Sequence, residues 1–197
     1  MRGYVIHHKS KLYDNIRADF YRNDPYVWFS PYLWSFCHLN QNPGIELGMT
    51  VLWLSKSDGT FVCDLVFVIK NAVPFHDAAN LYMPLDDDLA EWHFRPGMQY
   101  HAAQLAKPNA TTYVADMDRS YIPHPAVPLE REVDAVRLRE RSQAKPLAIA
   151  WARPSVPLRI EAIDELESIV RERAEKHITG ALLQPGGGSP GQPAALR

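Results

Sequence analysis

The chain has 197 residues, of which 46% are hydrophobic and 22% are charged, an ordinary composition for a folded protein with one hydrophobic core. A formal net charge of -2 argues against extended binding along duplex nucleic acid, which needs an excess of Lys and Arg. A nucleotide or another small ligand needs only one or two local cations, so a binding site for such a ligand remains possible. The two cysteines lack the Cys-x-x-Cys spacing of a zinc site. No apolar segment has the length of a signal peptide or a membrane span, so a cytoplasmic protein is expected.

The N-terminal part predicts a strand followed by a helix. Residues 3–8 alternate, with Tyr4 and Ile6 on one side of a short strand. Residues 10–21 carry apolar side chains at helical spacing. The helix should end before Pro25, because the residue preceding a proline is disfavoured in the α region.

An aromatic segment, residues 26–36, follows this helix. One interpretation is that its rings belong to the hydrophobic core. The other is that Trp28, Tyr32 and Trp34 line a pocket and stack on a planar ligand. Both interpretations can hold for different rings.

The central feature of the sequence is a predicted β-hairpin. Apolar residues 50–55 and 60–69 flank Asp58-Gly59, a dipeptide that adopts the positive φ angles of a tight turn. The second strand is apolar on both faces, which predicts a central position in the sheet. Asp64 interrupts it, and a carboxylate there needs a hydrogen-bond partner or a raised pKa. We therefore expect Asp64 to be buried and hydrogen-bonded, and we include it among the predicted ligand-binding residues.

The middle of the chain predicts a helix over residues 98–106 and a strand over 111–115 that continues to Tyr121. Prolines at positions 123, 125 and 128 then force extended backbone and mark the boundary of the main fold.

Two groups of polar residues near this strand suggest chemistry. Arg119 lies in a segment held extended by prolines, where its planar guanidinium could meet a phosphate or a ligand edge. Asp116 and Asp118 share one face of the predicted strand and His124 follows, which makes an oxygen-rich metal site conceivable. The further acidic or His partner that known metal motifs supply is missing, so no metal and no cofactor are predicted.

The C-terminal part predicts helices. Residues 130–141 place Val133, Val136 and Arg137 on one face, and residues 158–179 carry a long apolar stripe. The secondary structure of residues 144–153 stays open. The stripe must dock on the rest of the chain or on another subunit, which leaves a homodimer open. The residues of this apolar stripe are Ile163, Leu166, Ile169, Val170, Ala174 and Ile178.

This order of elements resembles the PUA-like superfamily of small pseudo-barrels, which includes the ASCH and EVE domains. The turn glycine that precedes the central hairpin in those domains corresponds to Gly48, although Met49 stands where an acidic or polar residue often follows. The resemblance implies an α+β fold, a mixed β pseudo-barrel with flanking helices and a long C-terminal helix. We expect a barrel-like core over residues 1–128, a helical extension packed on it over 129–183, and a disordered tail over 184–197.

The resemblance also implies binding of RNA, DNA or a modified base in a pocket between the barrel and its loops. The leading hypothesis is therefore a binding module for a nucleobase, nucleotide or single-stranded nucleic acid. One alternative is a small hydrolytic or transferase enzyme acting on nucleotides or nucleic acid, using Asp64 or Asp116 with a histidine. Another is a non-catalytic protein that pairs through its C-terminal helix. Motifs of acyl-transfer, P-loop and dinucleotide-binding enzymes are absent from residues 1–183.

Overall fold

The computed structural model describes residues 2–7, 35–38, 45–74, 111–140 and 155–179. These residues form one mixed sheet and two helices, which confirms the predicted α+β class. The strands are β1 (Arg2–His7), β2 (Ser35–His38), β3 (Thr50–Ser57), β4 (Thr60–Pro74), β5 (Thr111–Ala115), β6 (Tyr121–His124), β7 (Val127–Pro128), β8 (Ser155–Arg159) and β9 (Lys176–Thr179), and the helices are α1 (Glu130–Arg139) and α2 (Ile160–Arg173).

The predicted hairpin is confirmed, and it is longer than expected. Asp58 and Gly59 have φ angles of 49° and 83°, so the connection is a two-residue turn of the kind that matches the twist of paired strands. Pairing therefore continues to the turn, where Ser57 lies opposite Thr60. At its other end β4 runs past the predicted limit at Ile69, because its last residues pair with β5.

Strand β4 is central, as predicted. It pairs with β3 along one edge, and β6 and β7 pair with the same stretch of β4, so they must occupy the opposite edge. The main strand order is β2-β5-β4-β3-β1-β8. Strand β1 runs parallel to β3, whereas β8 is antiparallel to β1, so the sheet is mixed.

The prediction that the strand at residues 111–115 continues to Tyr121 was wrong. A turn over residues 116–120 interrupts it, and pairing with β4 resumes at Tyr121. The turn takes the chain away from the edge of β4, and Ser120 replaces the missing backbone partner: its Oγ accepts a hydrogen bond from the Val68 N–H at 2.8 Å. The Asp116 N–H donates to the Val68 carbonyl at 2.7 Å. Both polar groups of Val68 are satisfied in this way.

The C-terminal helix is shorter than the predicted range 158–179. Helix α2 spans Ile160–Arg173, and Ala174 is already extended, with φ of -78° and ψ of 134°. The next residues pair with β6 as strand β9. Pairing with a strand far away in the sequence overrides the helical spacing of Ile178. The predicted helix α1 is confirmed, with Val133, Val136 and Arg137 buried.

The core lies on both faces of the sheet. Helices α1 and α2 cover one face, called here the helix face, where Ile163, Leu166 and Val170 of the predicted stripe are buried. Ile178, the last residue of that stripe, packs against the opposite face instead. Where α2 packs on β1, a Cβ on Gly3 would lie 2.6 Å from Ile163 Cγ1 and 2.8 Å from the Thr50 carbonyl oxygen, so only glycine fits. The opposite face, called here the second face, carries Tyr4, Ile6, Met49, Val51, Trp53, Leu65, Phe67, Ile69, Ala115 and Ile122.

Several predictions lie outside the described residues. They are the helices at 10–21 and 98–106, most of the aromatic segment, residues 144–153 and the tail at 184–197. The proposed division into a core and a helical extension stays a prediction, although the segment after residue 128 adds β8 and β9 to the sheet as well as two helices. None of the described helices is both long and apolar enough to span a membrane.

Candidate ligand-binding site

Asp64 lies at a β-bulge in the middle of the central strand. Trp53 pairs with Leu65 and Leu54 pairs with Cys63, so the register shifts at this point and Asp64 is the extra residue of β4. A bulge turns a side chain away from the regular alternation of a strand, and bulges occur frequently next to functional sites. The bulge thus allows a polar residue to stand within a stretch that is otherwise apolar on both sides.

The Asp64 carboxylate is buried and accepts a short hydrogen bond. Ser55 Oγ donates to Asp64 Oδ2 at 2.6 Å, and the two residues are 0% and 1% exposed, respectively. The prediction that Asp64 is buried and hydrogen-bonded is therefore confirmed. A buried carboxylate costs several kcal/mol in principle, so a chain retains one only where hydrogen bonds compensate.

The surroundings of this pair belong to the second face of the sheet. Ser55 follows Leu54, whose side chain packs on the helix face, so alternation directs Ser55 to the same side as Trp53. Large apolar side chains, including Phe67, occupy that side. Asp64 and Ser55 therefore place a carboxylate and a hydroxyl in apolar surroundings, where polar interactions are stronger than in water.

The other predicted ligand-binding residues are not brought together with Asp64 in the described part of the chain. Arg119 is exposed in the turn at residues 116–120. That turn is tied to Val68, four residues along β4 from Asp64, or about 13 Å at the usual rise of a strand. Trp28, Tyr32 and Trp34 lie outside the described residues.

A second polar cluster, on the helix face, was not predicted from the sequence. The Arg171 guanidinium lies 4.5 Å from the centre of the Tyr121 ring, and His177 approaches the same ring edge-on at 5.0 Å. Glu167 holds Arg171 through two hydrogen bonds of 3.0 and 2.8 Å, and Thr50 Oγ1 donates to Glu167 at 3.4 Å. The Glu167 and Arg171 spacing of four residues was readable from the sequence. The contact between Arg171 and Tyr121 was not readable from the sequence, because the pairing of β6 with β4 brings Tyr121 to this position.

The Tyr121 hydroxyl is buried without a hydrogen-bond partner among the described residues. Burial raises the pKa of this hydroxyl well above its ordinary value, and the nearby Arg171 cation only partly opposes the rise. Burial also raises the pKa of the Cys63 thiol, and the Asp64 carboxylate adds to that effect. Both groups stay protonated near neutral pH, so neither is activated by a lowered pKa.

We expect Tyr121→Phe to leave stability at pH 7 unchanged or to raise it by up to about 1 kcal/mol, because it removes a buried hydroxyl that lacks a partner. Above the ordinary tyrosine pKa the unfolded chain ionises this hydroxyl while the folded chain does not, so stability falls as pH rises. The variant should lose less stability than wild type between pH 9 and 11. Urea unfolding at several pH values measures this, and a large loss at pH 7 would contradict the absence of a hydrogen bond.

The described residues offer no group of three or more His, Cys, Asp or Glu side chains that could hold a metal ion. The Asp116 carboxylate instead accepts a hydrogen bond from the Asp118 backbone N–H at 3.2 Å, which is the usual geometry of a turn.

An open cleft of about 850 Å³ lies between the hairpin tip and the start of α1. Its charges are mixed, and Glu132 and Arg173 form an ion pair across it at 2.6 Å.

Comparisons with known proteins give distant structural similarity. No protein-family model matches the sequence, and no curated protein matches it. The crystal structure of ASCH from Zymomonas mobilis has 13% identity and a TM-score of 0.45, over 85% of this chain and 94% of that chain. A mutant form of the same protein has 13% identity and a TM-score of 0.43, over 85% and 97%.

A further similar structure is that of the human THYN1 protein in complex with DNA containing 5-methylcytosine. It has 13% identity and a TM-score of 0.38, over 89% of this chain and 99% of that chain. At 13% identity and TM-scores of 0.45 or less, however, the similarity carries no function from those proteins to this chain.

Proposed function

We propose that this chain is a binding module for a nucleobase, either free in a nucleotide or within single-stranded nucleic acid, and that Asp64 contacts the edge of the base. The observation that carries the proposal is the buried pair of Asp64 and Ser55 at the bulge of the central strand, with an oxygen-to-oxygen distance of 2.6 Å.

The chemistry of a fixed carboxylate suits a base edge. A carboxylate accepts hydrogen bonds at both of its oxygens, and the Ser55 hydroxyl donates to Oδ2. The exocyclic amino groups on the edges of cytosine, guanine and adenine are donors, and a buried acceptor discriminates strongly between ligands with and without a matching donor. We therefore expect bases with an exocyclic amino group to bind better than thymine or uracil.

Stacking is the second component of the proposal. Aromatic side chains bind the flat face of any base, and Trp28, Tyr32 and Trp34 remain the predicted stacking residues. Arg119 is exposed and is proposed to contact a phosphate. With a net charge of -2, binding should depend only weakly on salt, which favours a short ligand or a modified base over a long duplex.

Tryptophan fluorescence titration tests this proposal. Ordinary and modified nucleosides, nucleotides and short single strands would be titrated against wild type, Trp28→Ala and Trp34→Ala. Stacking contributes roughly 1 to 3 kcal/mol per base, so loss of the stacking ring should weaken binding by about one to two orders of magnitude. Trp92→Ala is the matched control, because it removes an indole that is not predicted to bind the ligand.

Two outcomes would contradict the proposal. In one, no compound in the panel binds wild type at millimolar concentration. In the other, both variants unfold, which would assign the aromatic segment to the core. Turnover of a bound nucleotide during the titration, followed by chromatography, would instead favour the enzyme alternative.

A further inference from the structure

Arg137, on helix α1, has a guanidinium that is almost completely removed from solvent. Its side chain is 2% exposed. One nitrogen, Nη1, lies 3.4 Å from Asp134 Oδ1, a long contact to a carboxylate that is itself 30% exposed. A buried cation costs several kcal/mol unless ion pairs and hydrogen bonds compensate for lost hydration. The contact with Asp134 fixes one end of the guanidinium and leaves most of this cost uncompensated.

The remaining donors of Arg137 lie together on one edge. Nε and Nη2 are buried and have no hydrogen-bond partner among the described residues. In a planar guanidinium these two N–H groups point in parallel from the same edge, with the spacing of two oxygens of a carboxylate or phosphate. The edge without partners is therefore the one that is suited to bidentate binding of an oxyanion.

We infer that this edge of Arg137 is a binding site for an anionic group with two adjacent oxygens, a phosphate or a carboxylate. The site is separate from Asp64, because α1 packs on the helix face through Val133 and Val136, whereas Asp64 is directed to the second face. Next to Arg137, Leu138 is 67% exposed. Helix α1 therefore has one face in solvent, and the side chains that cover the Arg137 guanidinium must move to admit an anion.

Thermal unfolding of the full chain in increasing phosphate or acetate, at ionic strength held constant with sodium chloride, tests the inference. A ligand that binds only the folded state raises Tm, by about 3 to 6 °C at ten times its Kd for a chain of this size. Arg137→Met should fold, because an apolar side chain of similar length replaces a buried charge, and it should lose the response to the anion. Arg137→Lys keeps the charge but not the paired donors, and it should bind about tenfold more weakly.

Arg139→Met is the matched control. Arg139 lies on the same helix, is exposed, and pairs with Glu165 at 2.7 Å, so the variant should respond like wild type. A response to phosphate alone assigns a phosphoryl ligand, and a response to acetate alone assigns a carboxylate. An equal rise in Tm for wild type and Arg137→Met, or no rise with either anion, would overturn the inference. If Arg137→Met does not fold, an Arg137→Lys response equal to that of wild type overturns it as well.

Discussion

A chain that ends at residue 154 is expected to lose its cooperative unfolding transition. The removed segment contains β8, which pairs with β1, and β9, which pairs with β6. It also contains α2, whose Ile163, Leu166 and Val170 are fully buried on the helix face. Each of these side chains contributes roughly 1.5 to 3 kcal/mol by burial, so their joint loss is comparable to the whole stability of a typical domain.

Circular dichroism and light scattering during heating measure this effect. The control is a chain that ends at residue 183, which removes only the predicted tail and should unfold like wild type. Leu166→Ala alone should lower the free energy of unfolding by about 2 to 5 kcal/mol, the usual cost of a cavity in a core. A chain ending at residue 154 that stays soluble and unfolds at the wild-type temperature would show that the C-terminal segment is not part of the core.

The second large effect is expected at Asp64. Asp64→Ala removes the acceptor of the Ser55 hydroxyl and leaves a buried donor without a partner, which costs about 1 to 3 kcal/mol. Asp64→Leu should still fold, because an apolar residue fits the surroundings of the second face. Urea unfolding of Ser55→Ala, Asp64→Ala and the double variant gives the coupling energy, and the double variant should lose less than the sum of the single losses. A Tm for Asp64→Ala equal to that of wild type would show that this hydrogen bond is energetically unimportant.

The sequence was informative where local chemistry determines structure. Asp58-Gly59 specified the hairpin, because few other pairs of residues adopt the positive φ angles that both turn positions require. The apolar run from 61 to 69 indicated a central strand, and the spacing of Val133 and Val136 located the buried face of α1. In each case the residues that carry the signal lie close together in the chain.

The sequence was uninformative where a distant partner decides. The apolar spacing after Ala174 is helical, yet pairing with β6 makes this segment a strand. The bulge that positions Asp64 depends on a register shift opposite Trp53, which no composition rule reveals. The role of Ser120 as a partner for Val68 likewise depends on where the turn at residues 116–120 leaves the sheet. Asp64 itself was predicted, since a lone carboxylate in an apolar strand is a signal that is readable without its partner.

The most direct test of the proposed function compares the affinities of wild type and Asp64→Asn for the base that binds most tightly. Asparagine keeps the shape of the side chain and one acceptor for the Ser55 hydroxyl, but it replaces an acceptor oxygen with a donor and removes the charge. If Asp64 contacts amino or imino donors of a base, Asp64→Asn should bind that base about 10 to 100 times more weakly, while its Tm changes by only a few degrees. Equal affinities in the two proteins, measured by calorimetric titration, would contradict the account and leave Asp64 as a structural partner of Ser55.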